Sequence, residues 1–241
     1  MLKKRFFIFI QIFVILAGVF SETRTFYFTR HGQRGDPAYQ RKFEKCVEDA
    51  LTPKGQKQAE LLGEYLNSIK FKGTIYISPF YRTLQTAEGA ASRLPEMKKI
   101  AEPRLQEKSK NKDSSGIKII ERCLTKKEIQ DNFPDVTVPD GMKFPWRFDN
   151  ETKKDIDRRI AELIDECISN TEGDLFFVCH GGILPVVIRC MRKRGSDFEH
   201  RKAWNCCLYA FTIDTETKRV VKAEDLTKNY LNDEMITDNM K

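Results

Sequence analysis

Three stretches of the chain set basic side chains just after runs that read as strand. Arg30 and His31 follow the first, with Arg34 three residues on; Arg82 stands a few residues past the second; His180 follows the third. In an open α/β sheet the ligand crevice lies beyond the carboxyl ends of the strands, so one edge would gather all five groups beside the free N–H groups of the helix starts. The result is a pocket for a dianion. A neutral imidazole can attack phosphorus while a second, protonated one holds charge on the equatorial oxygens. His31 is read as the nucleophile and His180 as its partner. Arginine suits the remaining places, because its planar fork binds phosphate oxygens in pairs and never loses its charge; Arg30, Arg34 and Arg82 are the candidates.

A leaving alkoxide or phenoxide also needs a proton. Of the three histidines, His200 lies in a charged loop, so a carboxylic acid is the natural donor. Glu107, after a third strand candidate, is the first choice; Glu102, Glu121 and Glu128 stay open beside it.

Strand-like and helix-like segments alternate, which predicts an α/β domain around a largely parallel sheet. The first strand spans residues 25–29. Thr52 and Pro53 then form a cap and first-turn pair for a helix whose apolar stripe is Ala59, Leu62, Leu66 and Ile69. Residues 74–77 form the second strand. Ser78 and Pro79 are read as a second helix start, for a helix to about residue 94 with Arg82 in its first turn, and neither Thr-Pro nor Ser-Pro turn is assigned a functional role. Residues 100–105 are a weaker strand candidate. Residues 108–150 read as an insertion containing a short helix, 125–132. A crossover helix over 153–169 leads to a wholly apolar strand, 175–179, of the kind found in the middle of a covered sheet. A helix to about residue 194 stops at Gly195, a late strand covers 207–214, and the polar tail from residue 229 is expected to be loose.

Composition sets the outer limits. Lys3, Lys4 and Arg5 precede an apolar run from Phe6 to Phe20, the pattern of a secretory signal peptide, with Val19 and Ser21 small enough to flank cleavage after Ser21. The run is short for a bilayer span of roughly 20 residues, so secretion is expected, with no stable membrane span. Removing residues 1–21 takes away three of the 42 basic residues and none of the 35 acidic ones, leaving 220 residues with a formal charge of +4. That length fits one domain, 22–241, and that charge points to no nucleic-acid partner. Seven cysteines without a C-x-x-C pair and only three histidines give a zinc site little support, though an oxidising compartment would let some cysteines pair. Arg189, Arg192, Lys193 and Arg194 are read as cations at a helix carboxyl end. The lysines between 98 and 112 are read as a solvated loop or the rim of the pocket. Asn150-Glu151-Thr152 fits an N-glycosylation acceptor.

The segments Phe28-Thr29-Arg30-His31-Gly32-Gln33-Arg34, 51–59 (LTPKGQKQA), 77–87 (ISPFYRTLQTA) and Cys179-His180-Gly181-Gly182 resemble the four signatures of the histidine phosphatase (phosphoglycerate-mutase-like) superfamily, in order and spacing, over most of residues 25–215. Arg34, Phe80 and Glu107 are similar in placement to residues of the phosphatase domain of the ubiquitin-associated and SH3-domain-containing proteins and of the ecdysteroid-phosphate phosphatases. The resemblance implies a three-layer αβα sandwich and a phosphohistidine at His31. It also implies phosphate contacts from Arg30, Arg34, Arg82 and His180, Glu107 as acid and then base, and neither metal nor other cofactor. The histidine acid phosphatases and phytases share the opening Arg-His-Gly-x-Arg, but their second histidine precedes an Asp where His180 precedes Gly181-Gly182, and their cap domain would not fit in this length. The expected substrate is a small-molecule or protein phosphoester. The rival expectations are a binding protein with a phosphate pocket and no turnover, and a phosphomutase.

Overall fold

The computed structural model describes residues 22–35, 41–43, 46–48, 50–108, 123–140, 151–199 and 202–238. In chain order these include strands β1 (Thr23–Arg30), β2 (Arg41–Phe43) and β3 (Cys46–Glu48), helix α1 (Pro53–Ser68), β4 (Gly73–Ile77), α2 (Tyr81–Ala91) and β5 (Lys98–Ala101). There follow a 3-10 turn (Pro103–Leu105), α3 (Lys126–Asn132), β6 (Val136–Thr137), α4 (Lys153–Asn170), β7 (Asp174–Cys179), α5 (Leu184–Lys193), β8 (Leu208–Asp214) and β9 (Val220–Asp225).

The central sheet has seven strands in the order β6-β5-β4-β7-β1-β8-β9. Pairings among β6, β5, β4, β7 and β1 are parallel; β8 and β9 join antiparallel at one edge. Alternation along the strands loads both faces. Phe26, Phe28 and Phe177 face the layer of α4 and α5, whereas Phe176 and Val178 pack with Ile75, Ile77, Ala59 and Leu62 on the side of α1 and α2. This is the expected three-layer αβα sandwich, and apolar burial on two faces is what drives a sheet to take helices on both.

The helix starts follow local chemistry. Thr52 Oγ1 accepts from Gly55 N at 3.0 Å, with Pro53 in the first turn where its missing N–H leaves nothing unsatisfied. Thr125 with Glu128, and Thr152 with Asp155, form reciprocal capping boxes for α3 and α4. At the other end of α4 the buried Arg24 guanidinium donates to the carbonyls of Ile168 and Thr171.

Four expectations need correction. Ser78 and Pro79 do not start α2: it begins at Tyr81, with Phe80 as a cap residue that makes no side-chain cap bond, because the Ser78 hydroxyl is engaged elsewhere. Ile69 lies past the end of α1 and is 37% exposed, while Phe71 takes the buried place below the helix at 3%. The candidate strand 100–105 divides into β5 and the 3-10 turn, since Pro103 cannot donate to a ladder. The tail as far as residue 238 is tied down rather than loose: Leu231 is buried, and residues 234–238 bond to α1 through Lys54 and Gln58, to Asn205 ahead of β8 and to Arg30 at the end of β1.

Cys123, Cys167, Cys179, Cys190, Cys206 and Cys207 are buried free thiols. Burial pushes the Cys167 and Cys207 thiols up to about 12, which keeps them protonated and inert at neutral pH. Among the described residues no helix is long and apolar enough to cross a membrane. Residues 1–21, Glu121, Asn150 and His200 lie outside the described residues.

Candidate active site

Sheet register puts the two histidines side by side. Arg30, the last residue of β1, pairs with Cys179, the last of β7, so His31 and His180 leave neighbouring parallel strands at the same level. His31 N donates to Cys179 O at 3.0 Å, and the two imidazole centroids stand 5.5 Å apart. Ser78 leaves the third neighbouring strand, β4, at that level, and its N–H donates to Val178 O.

His31 Nδ1 lies 2.8 Å from Gly32 O. A carbonyl can only accept, so Nδ1 carries the proton and Nε2 keeps its lone pair. Burial, then the guanidiniums of Arg82, Arg30 and Arg34, hold the imidazole well below its ordinary pKa. It is therefore neutral at physiological pH, as a nucleophile must be.

His180 differs from its expected state. It is fully buried, and burial followed by the charges of Arg82, His31 and Arg34 lowers its pKa well below the usual value, so it stands neutral beside the arginines. Its Nε2 lies 2.8 Å from Ser78 Oγ, while its buried Nδ1 has no hydrogen-bond partner among the described residues. The Phe80 ring meets His180 edge-on at 5.0 Å and takes the Arg82 guanidinium 4.5 Å above its face.

Arg30, His31, Arg34, Arg82 and Glu107 all line one cleft of about 320 Å³, with Lys108, Lys202 and Asp238 also on its walls. His180 lies beneath that lining. Arg82 is only 1% exposed and reaches the cleft from the first turn of α2; Arg34 arrives on a short bridge to Leu51. Five cations against two carboxylates make this wall suited to a dianion.

Glu107 is positioned by backbone donors: its Oε1 accepts from Lys108 N and its Oε2 from Gly182 N at 3.1 Å. A Cβ at residue 182 would come within 2.2 Å of Glu107 Oε1, so only glycine allows this approach. Behind it, the buried Arg159 of α4 donates to the carbonyls of Arg104 and Gln106 and is gripped by Glu151. The open alternatives fall to other duties. Glu102 caps the 3-10 turn and pairs with Arg104 at 2.8 Å, and Glu128 closes the capping box of α3.

The loop carrying His31 is clamped to α1 and α2. Gly32 N donates to Thr86 Oγ1 at 2.9 Å, Gln33 N to Gln58 Oε1 at 2.8 Å, and Thr52 N to Gln33 O at 2.9 Å. Asn205 Nδ2 donates to His31 O at 3.1 Å from the other side.

Ser78, Arg159, Asn205 and Asp238 were not singled out in the sequence. Ser78 stood at a strand end like the two histidines, a signal masked by its fit to a helix start; the other three come from distant segments and carry no local signature. Two of the four cations at the end of α5 are occupied within the domain, Arg189 paired to Asp157 and Arg194 to Asp165. Among the described residues no group of three or more His, Cys, Asp or Glu side chains is set to hold a metal ion.

Residues 26–226 match the family model described as the histidine phosphatase superfamily, branch 1. Comparison with curated protein sequences yields no match. Among solved structures, the fold is similar to that of the ecdysone phosphate phosphatase of Bombix mori in complex with tungstate, at 22% identity over 83% of this chain and 92% of that one, with a TM-score of 0.62. It is also similar to the mycobacterial glucosyl-3-phosphoglycerate phosphatase, at 17% identity over 86% and 99% with a TM-score of 0.52. The phosphoserine phosphatase of Entamoeba histolytica matches at 18% identity over 86% and 100%, TM-score 0.51.

Proposed function

The chain belongs to the histidine phosphatase superfamily, and from that premise we propose that it is a phosphomonoesterase working through a phosphohistidine on His31. The observation that carries this reading is the hydrogen bond of His31 Nδ1 to Gly32 O, which leaves Nε2 as the nucleophilic atom in a cleft walled by Arg30, Arg34 and Arg82.

In the first step the Nε2 lone pair forms a bond to phosphorus as the bond from phosphorus to the ester oxygen breaks. Protonated Glu107 gives its proton to the departing oxygen, so an alcohol or phenol leaves. In the second step the Glu107 carboxylate takes a proton from water, the water oxygen bonds to phosphorus, and the bond between phosphorus and Nε2 breaks. Inorganic phosphate leaves and both residues return to their starting forms. The three guanidiniums stabilise charge on the equatorial oxygens throughout. A neutral His180 contributes as a donor: with Ser78 Oγ–H donating to Nε2, the proton sits on Nδ1, whose hydrogen bond is completed by a phosphate oxygen. In this scheme the arginines carry the task that a metal ion performs in other phosphatases.

Substrates of the class are phosphate monoesters of small molecules or of protein side chains. Secretion after removal of residues 1–21 belongs to the same reading, supported by the basic and apolar leader; the amino terminus of the protein recovered from the medium of expressing cells tests it, and a chain retained with Met1 in place contradicts it. Activity is tested by hydrolysis of an aryl phosphate in the presence of a chelator. Wild-type turnover that His31→Ala abolishes supports the assignment. A folded wild-type protein inert from acid to neutral pH contradicts it and leaves a protein that binds phosphate without turning it over.

A further inference from the structure

Arg30 is held from behind by the end of the chain. Both of its Nη1 hydrogens are used, one toward Ala203 O at 2.6 Å and one toward Asp238 Oδ1 at 2.8 Å. Its Nε is buried without a hydrogen-bond partner among the described residues, and the guanidinium packs close to Gly181, where a Cβ would come within 3.1 Å of Nε. A guanidinium is one rigid plane, so fixing the Nη1 end also fixes the edge that bears Nε.

Asp238 is itself fixed. Its other carboxylate oxygen meets Lys202 Nζ at 2.9 Å. The backbone before it is laced down: Gln58 Nε2 donates to Met235 O at 2.6 Å and to Thr237 Oγ1 at 2.9 Å, Asn205 N donates to Thr237 O at 2.8 Å, and Thr237 Oγ1 donates to Asn205 Oδ1. Gln58 and Asn205 also hold the His31 loop, through Gln33 N and His31 O. The carboxyl-terminal segment and the nucleophile loop therefore share two anchors.

We propose that residues 234–238 form a strap that is a working wall of the phosphate pocket, with Asp238 as a positioning residue that turns the Nε edge of Arg30 toward the bound phosphate. The inference rests on the phosphate-binding reading of the cleft. Two effects of the Asp238 carboxylate oppose each other. Its negative charge disfavours a dianion nearby, but Arg30 and Lys202 already neutralise it, and their hydrogen bonds hold it ionised. Against that small loss stands the freezing of a four-bond arginine side chain before substrate arrives, an ordering cost that a free arginine would meet on binding. Orientation wins, so the acidic residue strengthens an anion site.

The test is the affinity of the purified chain for inorganic phosphate, read by calorimetry without turnover, in wild type and in Asp238→Asn. The near-isosteric change keeps the shape and removes the charge-assisted bonds. The dissociation constant is expected to rise roughly tenfold, the usual loss for one hydrogen bond to a charged group. With an aryl phosphate, KM rises in step while kcat holds, because Arg30 grips ground and transition state alike. Should Asp238→Asn fail to fold, Thr237→Val removes the strap's side-chain bonds to Gln58 and Asn205 while keeping every side chain of the pocket, and it must weaken phosphate binding in the same direction. Unchanged or tighter phosphate binding in a folded Asp238→Asn overturns the inference, the tighter result making the carboxylate a competitor for Arg30; the assigned activity stands in either case. A wild-type chain that does not bind phosphate overturns both.

Discussion

Ser78 Oγ sits 2.8 Å from His180 Nε2, on the strand next to the one that ends in the histidine. The contact couples the direction of the serine hydroxyl to the imidazole tautomer, and the proposed mechanism uses the one in which the hydroxyl donates. A hydroxyl donating to Nε2 leaves the hydrogen on the buried Nδ1, the form that donates to a phosphate oxygen without any net charge on the ring. Ser78→Ala frees the ring to take either tautomer. It is expected to lower kcat/KM for an aryl phosphate by roughly 10- to 100-fold, the effect of losing one oriented donor to a phosphoryl group. Circular dichroism and the thermal midpoint should show the fold retained; a folded Ser78→Ala enzyme with wild-type kinetics contradicts the tautomer role.

In the proposed mechanism Glu107 protonates the leaving group, so its loss should be felt in proportion to how much help that group needs. Glu107→Gln is expected to lower kcat/KM, which reports formation of the phosphohistidine and not its hydrolysis, by about 10² to 10⁴-fold for an alkyl phosphate and far less for a nitrophenyl phosphate. Gly182→Ala should show the same leaving-group pattern in milder form, since the added methyl group displaces the carboxylate. Equal losses across leaving groups would remove Glu107 from proton transfer.

Arg159 and Glu151 are a nearly buried pair behind the Glu107 loop, with side chains 6% and 5% exposed. Arg159→Ala strands a buried carboxylate and is expected to destabilise the fold by about 3 kcal/mol. The double substitution Arg159→Met with Glu151→Leu should recover most of that stability by denaturant melting. It should not recover hydrolysis of alkyl phosphates, because the carbonyls of Arg104 and Gln106 have lost the donor that sets the loop. Full recovery of both would make the pair purely structural.

Both histidines have folded-state pKa values below 6.5, from burial first and the arginine charges second. Below pH about 6.5 the unfolded chain takes up protons that the folded chain refuses, so stability is fully present above that value and falls as the pH drops toward the folded pKa. The thermal midpoint of wild type should decline on acidification below pH 6.5, and His180→Asn should flatten part of that decline. A wild-type midpoint that rises on acidification over this window would contradict neutral histidines.

The strand ends and cap residues were legible because they depend on neighbours in sequence. Residues 175–179 form a wholly apolar run that fits a covered strand, and Thr52-Pro53 fits a helix start, so sequence alone places His31, His180 and the first-turn Arg82 on one edge. Ser78 was misread because a serine before a proline satisfies the local rule for a helix start equally well; its hydroxyl is claimed by a residue 102 positions away. The tail was misread for a related reason. Its polar composition implies no core contact, yet Leu231 is buried and Met235 and Ile236 pack on the core, and Thr237 and Asp238 bond to Gln58, Asn205, Lys202 and Arg30. The β9 hairpin escaped notice because Val221 is 59% exposed and the strand has no apolar stripe.

The most direct test of the account is to trap the phosphoryl group. Wild-type protein mixed briefly with an aryl phosphate and denatured in alkali should carry an acid-labile, alkali-stable phosphate on the peptide containing His31. Glu107→Gln should accumulate more of it, because hydrolysis of the intermediate loses its base, and His31→Ala should carry none. Phosphate found on another residue, or steady turnover by His31→Ala, would contradict the central claim.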